Sequence, residues 1–344
     1  MGGSPTRANV TTASLTPPLE EVWEYNALAG ISASPLVRDS VVIIATLNGE
    51  VQAVNFVNGK RLGYVVLESS IAGTPVLDNS AVINPLAGGG ETLISLSLRT
   101  SEHLWKARIG PIESSLLVYG EFVYATTLEG RVYCLRKNDG TVVWKFSSGT
   151  DERRKPIRSS PTTDGQTIFF GCDDGFLYAV ERTSGTLRWK FDAGASVFAS
   201  PIVANDAVLF GTLGGKFFCL DTANGTLRWT FDTASPIYGM AAVNDQAVFV
   251  GASNGVCYAL DVPSGTKLWQ FSTRSVVNSP PLVAGNLLYW GSMDRTLYVL
   301  DTRTGRELWK YTARGRIRVP PVIWGTFLLV TSEDKFVVAL RPTP

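Results

Sequence analysis

Hydrophobic residues along this chain come in short runs, rich in β-branched and aromatic side chains, that Gly, Asn and Asp interrupt at regular intervals. Residues 199–231 show the unit most clearly. Ala199 to Ala204, Ala207 to Gly211, Lys216 to Leu220 and Thr226 to Phe231 each read as a short strand, and Asn-Asp, Gly-Gly and Asn-Gly pairs mark the turns between them. The unit then repeats. The stretch that runs Leu220-Asp221, Gly225, Trp229 returns as Leu260-Asp261, Gly265, Trp269 and again as Leu300-Asp301, Gly305, Trp309. Trp23, Trp105, Trp144, Trp189, Trp229, Trp269 and Trp309 mark successive repeats, with Gly63 in one place of the series, at spacings of 40, 42, 39, 45, 40, 40 and 40. Four short strands in a repeat of about forty residues predict an all-β fold, a β-propeller with one blade per repeat.

The blades can be counted from their inner strands. Ser34-Pro35, Thr74-Pro75, Ser160-Pro161 and Ser200-Pro201 open four of them, Pro281 and Pro321 open two more, and Ser115 and Ala241 take the proline's place in the rest. The last repeat runs from Pro321 to Arg341 and stops before any Trp, whereas Glu21-Val22-Trp23-Glu24-Tyr25 precedes the first inner strand. Pairing the two ends completes an eighth blade and removes two exposed sheet edges. Residues 21–344 are therefore expected to form one eight-bladed propeller. Residues 1–20, rich in Ser, Thr, Pro and Gly, read as a flexible lead whose removal as far as residue 17 is expected to change little.

The recurring residues have structural explanations. The Asp of each turn (Asp221, Asp261, Asp301) is placed to accept backbone N–H bonds, and the Gly four residues on supplies a positive φ. The Trp is expected to fill the wedge between neighbouring blades. One carboxylate per blade, each in a separate turn, cannot converge on one metal ion. Cys134 and Cys219 share a repeat position with Ala179, Ala259 and Val299, so they read as small core residues; the spacing of the four cysteines fits no zinc site, and His103 is the lone histidine.

A net charge of +1 over 344 residues leaves no basic excess for nucleic acid, and no apolar run is long enough to span a bilayer as a helix. The first residues lack the pattern of a signal peptide, which leaves a cytoplasmic protein or a processed, exported one.

The pattern Gly-x-x-Tyr-x-Leu-Asp-x-x-x-Gly-x-x-x-Trp-x-Phe, seen most fully at Gly255–Phe271, resembles the repeat of pyrroloquinoline-quinone (PQQ)-type propellers over roughly residues 21–341. Quinoprotein dehydrogenases of that superfamily are far longer, with insertions that build a Ca²⁺ and quinone pocket and often a disulfide between adjacent cysteines. Here the connections are short and no two cysteines are adjacent. No cofactor, metal site or catalytic group is therefore expected. In length and lead, the chain is similar to the propeller lipoproteins of the outer-membrane β-barrel assembly machinery, the BamB family. That resemblance implies a periplasmic, non-catalytic scaffold. It also implies a lipidated Cys anchor, which has no counterpart near this N-terminus, and a barrel-forming protein whose periplasmic domains are the partner. A ligand-binding or sensor propeller is the alternative reading, and a quinoprotein oxidoreductase the weaker one.

Specificity requires residues that differ from blade to blade. Counting three residues back from each proline position gives Ser32, Ala72, Ile112, Arg158, Phe198, Tyr238, Asn278 and Arg318, a ring expected at one mouth of the central channel. Arg158 and Arg318 lie four blades apart, and Arg153, Arg154, Lys155, Arg314 and Arg316 flank them. Two readings stand side by side. The arginines are solvated charges offset by Asp151, Glu152, Asp173 and Asp174, or they form a basic cup with an aromatic wall for an acidic or extended peptide.

Overall fold

The computed structural model describes residues 6–150 and 152–343. Its strands form eight sheets, each built on a blade of four antiparallel strands ordered from the channel outwards, with one further strand added to the seventh, and the described residues include no helix. In the fifth blade the strands are Ile202–Ala204, Ala207–Gly211, Lys216–Asp221 and Leu227–Asp232. The ring closes as the sequence implies. Leu19–Asn26 pairs antiparallel with Phe336–Pro342, from Leu19 opposite Pro342 to Asn26 opposite Phe336.

The core consists of separate apolar layers between adjacent blades, because each sheet buries both faces. The recurring Trp locks these layers. The indole N–H groups of Trp23, Trp105, Trp144, Trp189, Trp229 and Trp269 donate to the carbonyls of Phe56, Lys137, Arg182, Thr222, Val262 and Thr302 in the next blade, all at 2.9–3.0 Å. Trp309 stacks instead on Tyr311, with ring centroids 6.3 Å apart. Each locking indole lies on the turn glycine of the following blade. At Gly265 (φ +69°) an added Cβ would come within 2.4 Å of Cε3 of Trp229. That glycine is therefore needed for packing as well as for its dihedral angle.

The turn aspartates act as expected. Asp221 accepts from the N–H of Ala223, Asp261 from Ser264, and Asp301 from Arg303 and Thr304. The hydroxyls ahead of the inner strands form a second inter-blade belt. The N–H of Ser34 donates to Thr74 Oγ1, Thr74 to Ser115 Oγ, Ser115 to Ser160 Oγ and Ser160 to Ser200 Oγ, at 2.8–3.1 Å. All four cysteines are free and buried. Burial raises the thiol pKa of Cys134 and Cys219 to about 11 and that of Cys172 to about 12, which suits inert core thiols.

The structure corrects two sequence readings. The belt puts Ser115 in register with Ser34 and Ser160, so Leu116 holds the proline position of the third blade. Counting by forty from Pro75 missed it, since this blade has no proline to fix the register. The larger correction concerns the lead. Residues 1–5 lie outside the described residues, but from residue 6 the lead packs into the propeller. The carbonyls of Thr6, Ala8 and Asn9 accept from the inner-strand N–H groups of Val203, Val243 and Val283, stepping across three blades. Val10–Thr11 then runs parallel to Leu282–Ala284, making the seventh blade five-stranded. Leu15 is buried against Tyr289, whose hydroxyl bonds its backbone. Inner strands present unpaired backbone donors to the channel, and an extended segment of any composition can satisfy them.

Candidate functional site

One cavity of about 940 Å³ occupies the channel. Its mouth carries one residue from each blade, as expected, but the third member is Glu113. Ile112 is fully buried, and its N–H bonds Leu86 O just as that of Ile157 bonds Thr127 O in the next blade, which shows that the sequence register was one residue off here. Ser32, Ala72, Glu113, Arg158, Phe198, Tyr238, Asn278 and Arg318 all line the cavity. Phe198 and Tyr238 pack edge to face, with centroids 5.4 Å apart.

The arginines are not free cations. Arg158 is ion-paired with Asp173 and lies 3.6 Å from Glu113, and Arg318 pairs with Glu333 at 2.9 Å. Asp173 also accepts from Ser196 Oγ. Five charged groups at the mouth thus sum to −1, so the mouth is a set of oriented ion pairs with an aromatic arc. Of the flanking residues, Arg314 pairs with Glu24 at 2.8 Å, Arg316 is exposed, and Arg154 is half-buried in the long connection into the fourth blade. Asp151 lies outside the described residues.

The floor of the cavity was invisible to sequence reasoning. Arg7, at φ 52°, is buried, and its guanidinium reaches under the third and fourth blades. Nε donates to Pro161 O at 2.7 Å and Nη2 to Leu116 O at 2.9 Å and Ser115 O at 3.3 Å. No carboxylate among the described residues pairs with it, and desolvation lowers its pKa to about 10, which still leaves it charged at neutral pH. Asn9 beside it donates to Pro281 O. The Oδ1 atoms of Asn9 and Asn278 and Ser253 Oγ, all on the cavity wall, are buried without a protein partner among the described residues. A single Arg in a low-complexity lead carries no periodic signal. Glu113, in contrast, could have been found by aligning the buried aliphatic residue that precedes each ring position.

Comparison with known proteins identifies the relationship. The family described as outer membrane protein assembly factor BamB matches residues 63–146, 129–248, 173–283 and 253–343, together well over half of the sequence. This chain belongs to the BamB family. Similar relatives are the BamB proteins of Burkholderia pseudomallei (strain K96243), 28% identical over 154 residues, and of Moranella endobia (strain PCIT), 25% identical over 146 residues. The matched stretches cover 39% and 37% of this chain and 40% and 37% of those proteins, so the chain spans about two fifths of the length of these relatives. Among solved structures, BamB from Moraxella catarrhalis superposes with a TM-score of 0.79 at 18% identity, over 94% of this chain and 99% of that one. A europium-containing methanol dehydrogenase superposes with a TM-score of 0.82 at 14% identity, over 95% and 88%. At such identities the likeness shows the shared propeller alone.

The dehydrogenase neighbours raise the question of a quinone and its cation. The channel of this BamB-family chain does not fit them. Among the described residues Glu113 is the only carboxylate lining the cavity, and Arg158 stands beside it, whereas a hard cation takes about six to eight oxygen ligands. Among the described residues no cluster of His, Cys, Asp and Glu could hold a metal ion. No helix of the described residues is long and apolar enough to cross a membrane.

Proposed function

We propose that this propeller is a non-catalytic periplasmic scaffold for outer-membrane β-barrel assembly, and that it holds the periplasmic part of a barrel-assembly protein at the channel mouth. Family membership supports the assembly role. The observation that carries the choice of face is the ring of eight residues around one open cavity, in which each blade differs from its neighbours, since specificity needs differences between blades that the repeated Asp turns do not offer. An extended peptide segment suits the site. The wall offers unpartnered acceptors at Asn9, Asn278 and Ser253, and the lead itself shows an extended chain bonding inner-strand N–H groups. Phe198 and Tyr238 supply aromatic contact area, and the Arg158 and Arg318 ion pairs fix charge register.

Replacing Arg158 and Arg318 together by Glu sets like charges beside Asp173, Glu113 and Glu333. Binding to the partner, captured from native envelope by cross-linking and then titrated, is expected to weaken by about 2 kcal/mol or more. The fold should survive, because partly exposed pairs contribute only about 0–1 kcal/mol each. The Asp221→Ala, Asp261→Ala double variant should do the opposite, lowering the melting temperature and sparing affinity. Unchanged affinity in the double Arg variant would move the contact site elsewhere.

The dehydrogenase-like fold makes a second measurement worthwhile. Calorimetric titration with PQQ and Ca²⁺ is expected to show no saturable binding, and a dye-linked assay with added quinone no alcohol or sugar oxidation. Micromolar quinone binding with turnover would overturn the scaffold reading.

A further inference from the structure

The tryptophan lock is missing between the first and second blades. Gly63 pairs opposite Ala53 just as Trp229 pairs opposite Cys219 and Trp269 opposite Ala259, so it occupies the indole's place. A Cβ built on Gly63 meets nothing within 4 Å, and a groove of about 740 Å³ opens beside it. Both halves of the lock have changed together. Where the following blade elsewhere offers a glycine to the indole, the second blade has Ser101, at φ 63°, and no indole lies over it. The carbonyl of Leu98, on the groove wall, holds the place of the Phe56, Lys137 and Val262 carbonyls that accept an indole N–H in their own blades.

The rim also differs from that of the other blades. Leu62 and Tyr64 border the groove and are 58% and 54% exposed. The register position of Tyr64 is held by Lys106, Lys145, Lys190 and Lys310 in four other outer strands. Arg38 and Arg99 line the groove, where Asp39 is the one carboxylate among the described residues, and neither arginine is ion-paired with a described residue. An apolar slot with an unused indole acceptor and a surplus of guanidinium groups calls for an aromatic side chain with acidic neighbours.

We propose that this groove is a docking site for an extended segment of a partner protein that inserts a tryptophan flanked by carboxylates. The indole refills the lock, its N–H donating to Leu98 O, and the flanking carboxylates meet Arg38 and Arg99. A second copy of this chain is a poor occupant: its exposed tryptophan, Trp324, is followed by Gly325 and preceded by Ile323, with no carboxylate beside it. The proposal does not rest on the channel-mouth reading.

The test uses the full chain and a fluorescein-labelled peptide, Asp-Glu-Trp-Glu-Asp, read by anisotropy. Saturable binding is expected, and peptides with Ala for Trp, or with Lys for the acids, should bind about tenfold or more weakly. The G63W/S101G double variant rebuilds the lock from within; it should melt higher than the parent and lose the peptide. Arg99→Glu, a change at an exposed position of the groove wall, should weaken binding even if the double variant folds poorly. The R158E/R318E variant should bind the peptide like the parent, which separates failure here from failure at the mouth. Absence of saturable binding, indifference to the acids, or undiminished binding by the refilled variant would overturn the proposal. So would a parent dimer in sedimentation that G63W/S101G dissociates, since the groove would then belong to a second copy.

Discussion

A chain lacking residues 1–27 should aggregate, or unfold far below the parent's melting temperature. This deletion removes the whole outer strand Leu19–Asn26, and with it the pairing to Phe336–Pro342. Leu19, Trp23 and Ala27 leave the core, and the bond from the Trp23 indole to Phe56 O is lost. Truncating a buried Trp or Leu alone costs about 2–5 kcal/mol each, so the combined loss approaches the total stability of a typical domain, about 5–15 kcal/mol. The edge of the last blade then stands open to pairing with other chains. Deleting only residues 1–17 should have a smaller effect, and not a negligible one. It removes Leu15, three bonds to inner-strand N–H groups and the short parallel pairing at Val283 and Ala284. Relief of the buried Arg7 charge and of chain ordering offsets part of this, leaving a loss on the order of 2 kcal/mol. Chemical denaturation of the two deletions against the parent measures both. A 1–27 deletion that melts like the parent would sink the closure by the N-terminal strand, and a silent 1–17 deletion would sink the packed lead.

The second large effect is expected at the lock between the fifth and sixth blades. Trp229 is 8% exposed, packs against Phe217, and donates to Val262 O at 3.0 Å. Trp229→Ala should lower stability by about 3–5 kcal/mol. Gly265→Ala should cost about 2 kcal/mol, both from the positive φ and from the approach of its Cβ to the indole. The two changes should not add. Once the indole is gone, the methyl at 265 has room and only the dihedral strain remains, so the double variant should be more stable than the sum of the singles by about 1 kcal/mol. Additive losses would mean that the glycine serves the turn alone.

Blade number, strand order, the shared closing blade and the structural roles of the Trp and Asp residues were legible in the sequence. Each of these follows from a local pattern repeated at a fixed spacing, and a repeat fold consists of one local solution packed against copies of itself. The ring at the mouth was legible for the same reason, except in the third blade, where the absence of a proline allowed a one-residue slip onto Ile112. Three features were decided only by tertiary structure. Arg158 and Arg318 find Asp173, Glu113 and Glu333 because neighbouring loops bring them together, and this cancels the positive charge that their sequence positions suggest. The lead enters the channel because inner-strand N–H groups need partners there, a demand set by the closed ring and unrelated to the lead's own composition. Gly63 reads in the sequence as one irregular place in a series of tryptophans. Only the assembled blades show that a missing side chain there leaves a groove, since the space that Trp fills elsewhere is created by two sheets meeting across it.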